Sequence, residues 1–482
     1  MVDLKSMAQS LYFYDTETSG IRPSTARIMQ FAGQRTDMNL RPLGEPDDML
    51  IRLSPDILPE PDAVLVHGIT PQQTVQDGIT EAEFARFFQE KIATPDTIFV
   101  GFNSVRFDDE FVRYMMYRNF YEPYEWQWKN GRSRWDLMDA LRMMRALRPD
   151  GIEWPYDDKG GPTVRLELMT AANGLLHENA HTALADVQAT IDLARLMRSA
   201  QPKLFDYLLH VRGKKDVQKI VEAGEPFVYT SGKYSGEGLK TTLVATLLKH
   251  PKRDASIVYD LRHDPEQFFG MSVDDLAASW RAKYGEDVVR LPIKTLQYNR
   301  CPAVAPQVVL DIASSTRIGL DIQKAKENYI KLQNNKEFVG KLAEALGILE
   351  DKQSAMQFES DDIDTKLYDS FWSEQDKHML HAVISHPPAT LADLLPKITN
   401  KRLHKLLPLY KARNYSEFLT PEEHDEYEAY RQHKLLNGGD QSVYAKFALR
   451  LQALAQERQS SRDQYLLTEL QLYAESIMPF SD

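Results

Sequence analysis

Phe13-Tyr14-Asp15-Thr16-Glu17-Thr18-Ser19-Gly20 is the stretch from which the fold is read. The run Leu11–Asp15 is short, apolar and aromatic, as a buried strand requires, and it ends on an acid. Side chains two apart on a strand share a face, so Asp15 and Glu17 point the same way. At the carboxyl end of a strand in an α/β sheet, where ligand sites collect, such a pair can share a metal ion. A solvated turn could carry the same tetrapeptide, so the pair gains meaning only from acids elsewhere.

Two further places supply them. Asp108 and Asp109 follow the apolar strand Thr97–Phe102 and the loop Asn103-Ser-Val-Arg-Phe107, at the start of a predicted helix. Acids there also complement a helix dipole, which is the plainer account of the pair. The third place is His181-Thr-Ala-Leu-Ala-Asp186. Five residues of helix turn about 500°, so the two side chains on one helix would diverge by about 140°. His181 is therefore placed in the loop before the helix, with Asp186 in the first turns. Four hard carboxylates from Asp15, Glu17, Asp108 and Asp186 suit Mg²⁺ or Mn²⁺ rather than zinc. Two such ions can stabilise both the attacking and the leaving oxygen of phosphodiester cleavage. A histidine with a pKa near ~6.5 can take a proton from the attacking water.

The surroundings fit an α/β sheet with helices on both faces. Further strands are predicted at Arg27–Gln34 and Met49–Leu53, and Thr80-Glu-Ala-Glu83 is a capping box that opens a helix through Lys91. Pro202 and the basic stretch Arg212–Lys219 mark a boundary. Beyond it, Pro226–Tyr229, Thr241–Leu247, Ser256–Leu261 and Asp287–Leu291 read as short strands, running into one helix over Ile322–Leu346. From about Glu359 the pattern is helical. The domains expected are 1–200, 201–357 and 358–482, in line with what 482 residues predict.

Charge follows that division. The whole chain carries −12, which argues against a nucleic-acid partner. The average hides a split: residues 1–200 hold 21 basic and 30 acidic side chains, a net of −9, and residues 358–482 net −6. Residues 201–357 net +3, with Lys214, Lys215, Lys219, Lys249, Lys252 and Arg253 as candidate phosphate neutralisers, although a solvated surface explains any one of them. Part of the N-terminal acidity is then a metal site rather than a repulsive surface. The single cysteine, Cys301, excludes a disulfide framework and a cysteine-built zinc site. Met1–Ser10 lacks a basic segment followed by an apolar one, and no apolar run approaches membrane length. The expected setting is the cytoplasm.

Asp15-x-Glu17, Asp108 and His181-x4-Asp186 resemble the three motifs of the DEDDh 3′→5′ exonuclease superfamily, and the flanking text is most similar to its bacterial exonuclease I branch. That text includes His67-Gly-Ile-Thr-Pro71, Gly101-Phe-Asn-Ser104, Arg134-Trp-Asp-Leu137, Arg165-Leu-Glu167 and Asn179–Asp186. The resemblance implies a ribonuclease H-like exonuclease domain with a mixed sheet, an SH3-like β-rich domain and an all-helical C-terminal domain. It implies a monomer that removes mononucleotides from the 3′ end of single-stranded DNA in repair and recombination. It further implies two Mg²⁺ ions, replaceable by Mn²⁺, on Asp15, Glu17, Asp108 and Asp186, with His181 as general base. The acidic C-terminal tail of single-stranded DNA-binding protein is the implied protein partner. An RNA-directed or proofreading exonuclease of the same superfamily, and a catalytically silent strand-binding module, are the rival readings.

Strand-holding residues are less sharply marked. The resemblance implies that Arg165 contacts substrate near its 3′ end, while an arginine near carboxylates is equally an ion-pair partner. Arg113 lies on the Asp108 helix. Beyond it Phe120-Tyr-Glu-Pro-Tyr124-Glu-Trp126-Gln-Trp128-Lys129 interleaves aromatics with polar residues. Core packing is the usual fate of such rings. The interleaved Glu, Gln and Lys favour partial exposure, and with it Tyr124 and Trp128 as base-stacking contacts.

Overall fold

The computed structural model describes residues 9–176, 182–283, 285–356 and 361–479. The chain forms two compact units: residues 9–133, 182–190 and 361–479 in the first, residues 134–176, 191–283 and 285–356 in the second.

The first unit is built on a mixed sheet. β1 (Ser10–Thr18) pairs antiparallel with β2 (Ile28–Thr36) and parallel with β4 (Thr97–Gly101), and β3 (Asp47–Leu50) lies beyond β2. β1 is central and covered on both faces, so its apolar residues are continuous rather than alternating: Leu11, Tyr12, Phe13 and Tyr14 are all buried. Phe84, Phe88, Phe99, Phe31 and Trp126 pack over one face. Phe84 and Phe88 come from the capped segment. Thr80 accepts from the Glu83 amide while the Glu83 side chain accepts from the Thr80 amide, and the α-helix Glu81–Phe87 continues as a π-turn over Phe88–Ile92. The sheet's first two strands end their alternation at a bulge between Glu17 and Thr18.

The C-terminal helices belong to this same unit. Leu403, Leu406, Leu407 and Tyr410, on the helix Lys401–Asn414, share a core with Tyr117 and Phe120 of the N-terminal segment. Beneath that core, Arg27 and Arg413 each reach Asp364, at 2.6 and 2.8 Å, and Arg413 and Lys434 each reach Asp56 at 2.7 Å.

The second unit opens with β5 (Ser133–Asp136), which starts at the boundary, and carries an antiparallel sheet in the order β10-β6-β7-β8-β9. These are β6 (Phe227–Thr230), β7 (Thr241–Lys249), β8 (Ala255–Asp260), β9 (Ile293–Gln297) and β10 (Ala303–Pro306). Three of its strands fall where the sequence predicts them; the fourth does not. Residues 287–291 are irregular, and the strand beside β8 is Ile293–Gln297, after Pro292. Val288 and Val289 are adjacent and both exposed, whereas Ile293 and Leu296 are the buried positions. The predicted single helix over Ile322–Leu346 is two, Ile322–Asn334 and Lys336–Met356, with the Asn335 side chain accepting from the Phe338 amide to start the second. Among the described residues no helix is long and apolar enough to cross a membrane.

Candidate active site

Because β1 and β4 run parallel, their carboxyl ends open at the same edge of the sheet. β1 delivers Asp15 and Glu17 there, both partly exposed, with Thr16 and Thr18 buried between and after them. β4 ends at Gly101, where a Cβ would lie 2.4 Å from that of Ser104. Asn103 then takes a left-handed conformation, φ 68°, and the chain turns into the helix Asp108–Arg118. Asp108 thereby arrives beside β1. Asp186 comes from the first turn of the helix Ala183–Ala200.

Asp15, Glu17 and Asp186 each offer a carboxylate oxygen within 4.8 Å of the others. Asp108 stands next to this trio and is tied to β1: the Thr16 amide and hydroxyl both donate to its Oδ1, at 3.1 and 2.6 Å. Its neighbour Asp109 takes a different partner on β1, accepting from the Tyr14 hydroxyl. The two adjacent acids therefore have separate fates, and the i, i+1 geometry of a helix is why.

Crowding acids without counter-charge costs free energy and favours their protonated forms. Burial, then Asp108, Glu17 and Asp186, push Asp15 well above the usual carboxylate range. Glu17 is raised to about 8 by burial and then by Asp186 and Asp108. Asp108 rises to about 7, because burial outweighs the hydrogen bonds from Thr16. Such a cluster favours a divalent cation, and oxygen-only donors suit a hard one. The donor set fits the group the motif implies.

The other predicted residues are distributed unevenly. His181 lies outside the described residues. Arg113 is buried, donates to Glu110 Oε1 at 2.6 Å and Gln127 Oε1 at 2.8 Å, and sits 5.9 Å from the Tyr124 ring centre. Tyr124 is half-buried and Trp128 is 62% exposed, while Trp126 and Phe120 are core. The mixed aromatic segment thus splits between packing and surface. Arg165 belongs to the second unit, is half-exposed and lies 3.6 Å from Glu167. Of the candidate phosphate neutralisers, Lys214, Lys219, Lys249, Lys252 and Arg253 pair with Asp254, Asp216, Glu222, Asp351 and Glu350. Thr16 was missed as a supporting residue although it stands inside the motif, because a Thr between two acids carries no distinguishing signal.

Comparison with known proteins identifies the family. A family model described as "Exonuclease" matches residues 12–194, "Exonuclease I SH3-like domain" matches 212–347, and "Exonuclease I C-terminal domain" matches 361–477. The chain is 41% identical to the exodeoxyribonuclease I of Haemophilus influenzae, over 88% of this chain and 90% of the relative. It is 37% identical to that of Escherichia coli, over 97% and 98%. Among solved structures, E. coli exonuclease I in complex with a dA16 oligonucleotide superposes with a TM-score of 0.92 at 36% identity, covering 98% of this chain and all of the other. A zinc-bound form of the E. coli enzyme with single-stranded DNA gives 0.91 at 36%. A structure named for SSB and exonuclease I with an inhibitor gives 0.88 at 35%; both cover 98% of this chain and all of the other.

Proposed function

This chain belongs to the exodeoxyribonuclease I family, and from that premise we propose that it removes 5′-mononucleotides from the 3′ end of single-stranded DNA. The observation that carries the reading is the convergence of Asp15, Glu17 and Asp186 beside Asp108 at one sheet edge. These are the residues proposed to hold two Mg²⁺ ions, with Mn²⁺ able to replace them. Zinc accepts carboxylate oxygen too, so the zinc-bound relative is compatible with the same donors. Bound there, the ions supply positive charge that stabilises the attacking and leaving oxygens.

The remaining chemistry is assigned to the chain. His181 takes a proton from the water that attacks phosphorus; the new bond from the water oxygen to phosphorus replaces the one to the 3′ oxygen, which leaves and takes up a proton from solvent. Thr16 keeps Asp108 turned toward β1, so that carboxylate meets the site in one orientation. Arg165 neutralises a phosphate near the 3′ end, Tyr124 and Trp128 stack bases, and Arg113 braces Tyr124. The division into 1–200, 201–357 and 358–482 is retained as the functional one: nuclease, SH3-like clamp and helical closure. A monomer in the cytoplasm, serving repair and recombination, and docking of the acidic tail of single-stranded DNA-binding protein complete the reading. The structure named for SSB with exonuclease I supports SSB as the partner.

Matched DNA and RNA strands of one sequence, incubated with the chain and Mg²⁺, test it. Mononucleotide release from DNA that Asp15→Ala abolishes is the expected result. Preferential digestion of RNA would move the chain to the RNA-directed reading, and tight strand binding with no metal-dependent product would make it a silent module.

A further inference from the structure

No step of the proposed chemistry uses the motif His67-Gly68-Ile69-Thr70-Pro71, yet its histidine is buried at the end of a short helix, Pro61–His67. The two ring nitrogens have unequal fates. Nδ1 accepts from the Ile69 amide at 3.0 Å, so in the neutral ring the proton sits on Nε2. Burial pulls the pKa down to about 4, which keeps the ring neutral at neutral pH. Nε2 is itself buried and closes no full hydrogen bond among the described residues; the acceptor it faces is the Thr18 carbonyl. A donor is thus aimed at the residue that follows the proposed metal ligand Glu17, where β1 bulges and its pairing with β2 shifts register.

The other end of the same helix holds the next residues. The Glu60 amide donates to the Ser19 carbonyl at 2.7 Å, and the Ile21 amide donates to Glu60 Oε2 at 3.4 Å. A Cβ on Gly20 would lie 2.6 Å from the Glu60 carboxyl carbon. One element therefore lines the chain from Thr18 to Ile21 as it leaves β1. That helix is backed in turn by the C-terminal helices Val443–Glu457 and Ser461–Ser476. Val64 packs with Phe447, Leu454 and Leu466, and Arg450 donates to both oxygens of Asp62, at 2.7 and 2.8 Å. Arg462 Nη1 donates to the Leu65 carbonyl at 3.2 Å. Gly68 ends the helix at φ 78°, and Arg462 fills the space a side chain there would need. All of these residues belong to the first unit.

Capping its own turn is the plainer role for His67, and Nδ1 alone would serve it. The protonated nitrogen has no use in that turn. We propose that His67 is a positioning residue: its Nε2–H holds the Thr18 carbonyl, and with it the direction in which Glu17 is presented to the metal ions. The inference rests on the nuclease reading above and extends it to a residue that acts through β1 rather than on metal or strand. The C-terminal helices then reach the chemistry through the helix Pro61–His67, although none of the proposed metal ligands lies on them.

The test compares the full-length wild type with three variants. His67→Asn keeps an acceptor for the Ile69 amide and loses the Nε2–H. His67→Gln puts an amide N–H in the place of Nε2 and gives up the Ile69 contact, and His67→Phe removes both. Isothermal titration with Mn²⁺ reads the metal site without turnover, and digestion of oligothymidine separates kcat from KM. His67→Phe and His67→Asn are expected to weaken Mn²⁺ binding and lower kcat about tenfold, the lower end for a partner one step removed from a ligand. KM and strand affinity in EDTA are expected to change less than about twofold, and His67→Gln to recover most of both losses. Wild-type behaviour of His67→Asn would overturn the proposal, because the turn cap would then account for the histidine. So would equal losses in His67→Asn and His67→Gln, or a loss confined to strand affinity. If the wild-type chain digests no DNA while the Mn²⁺ pattern holds, the nuclease reading fails and the positioning stands; digestion without the Mn²⁺ pattern gives the reverse. Thermal midpoints near that of wild type check folding, and the His67→Asn and His67→Gln pair carries the comparison if His67→Phe misfolds.

Discussion

Thr16 shows how much depends on one hydroxyl. It lies between two carboxylates on β1 and gives both its donors to a third, on another element. Thr16→Val keeps the shape and removes the hydroxyl, leaving Asp108 short of a partner at a cost of about 1–2 kcal/mol. We expect the variant to fold, to bind its second divalent ion more weakly and to lose about tenfold in kcat, with Thr16→Ser recovering most of both; isothermal titration with Mn²⁺ and single-turnover kinetics check this. The acids themselves make a second prediction. Glu17 near 8 and Asp108 near 7 are raised above ordinary carboxylates, so their protonated forms favour the fold. Their contribution to metal-free stability is full below about pH 4 and is lost as pH rises through about 7 to 8. The thermal midpoint of the EDTA-treated chain should therefore fall between pH 6 and 9, and Mg²⁺ should raise it most at the alkaline end. A midpoint that climbs with pH over that range without metal would contradict the burial of these acids.

Among elements, local rules carried the reading where one stretch of chain holds its own information. β1, the Thr80 capping box and the helix beginning at Asp108 are set by apolar run length, caps and acid placement within a few residues, and each is found where predicted. β9 was misplaced because Val288 and Val289 imitate a strand, while the true register is set by pairing with β8 and begins after a proline. The break at Asn335 was missed because the apolar periodicity continues on both sides of it. Longest in range is the buried ionic network, which links Arg27 and Asp56 to Asp364, Arg413 and Lys434; no pattern in either segment announces a partner some 300 residues away. Burial alone would raise Asp364, but Arg413, Arg27 and Lys434 outweigh it and hold it well below the usual range. Its stabilisation is therefore present above the ordinary pKa and lost as pH falls through the depressed one. Asp364→Ala leaves buried cations underpaired and should cost about 3–5 kcal/mol at pH 7 in urea denaturation, far more than an exposed pair such as Lys129–Glu125, which is worth at most about 1 kcal/mol.

At the scale of the molecule, the first compact unit is not contiguous in sequence: residues 9–133 and 361–479 fold together. A chain ended at residue 357 would strip Leu403, Leu406 and Leu407 from Tyr117 and Phe120 and leave Arg27 without Asp364. Such a truncation should yield aggregated or unfolded protein by circular dichroism and gel filtration, not a free nuclease domain. The acidity that argued against nucleic acid finds its place in the trio at the sheet edge and in buried pairs, whereas five of the six candidate phosphate neutralisers of the middle third have acidic partners. Strand affinity on this account comes from rings and a few arginines near the site more than from a basic face. The central claim is polarity and metal dependence together, and a single strand labelled at its 5′ end measures both. With Mg²⁺ the account predicts a ladder of shortening labelled strands, labelled mononucleotide only at the end of digestion, and no change in EDTA. Labelled mononucleotide at the earliest times, or an undiminished ladder in EDTA, would contradict it.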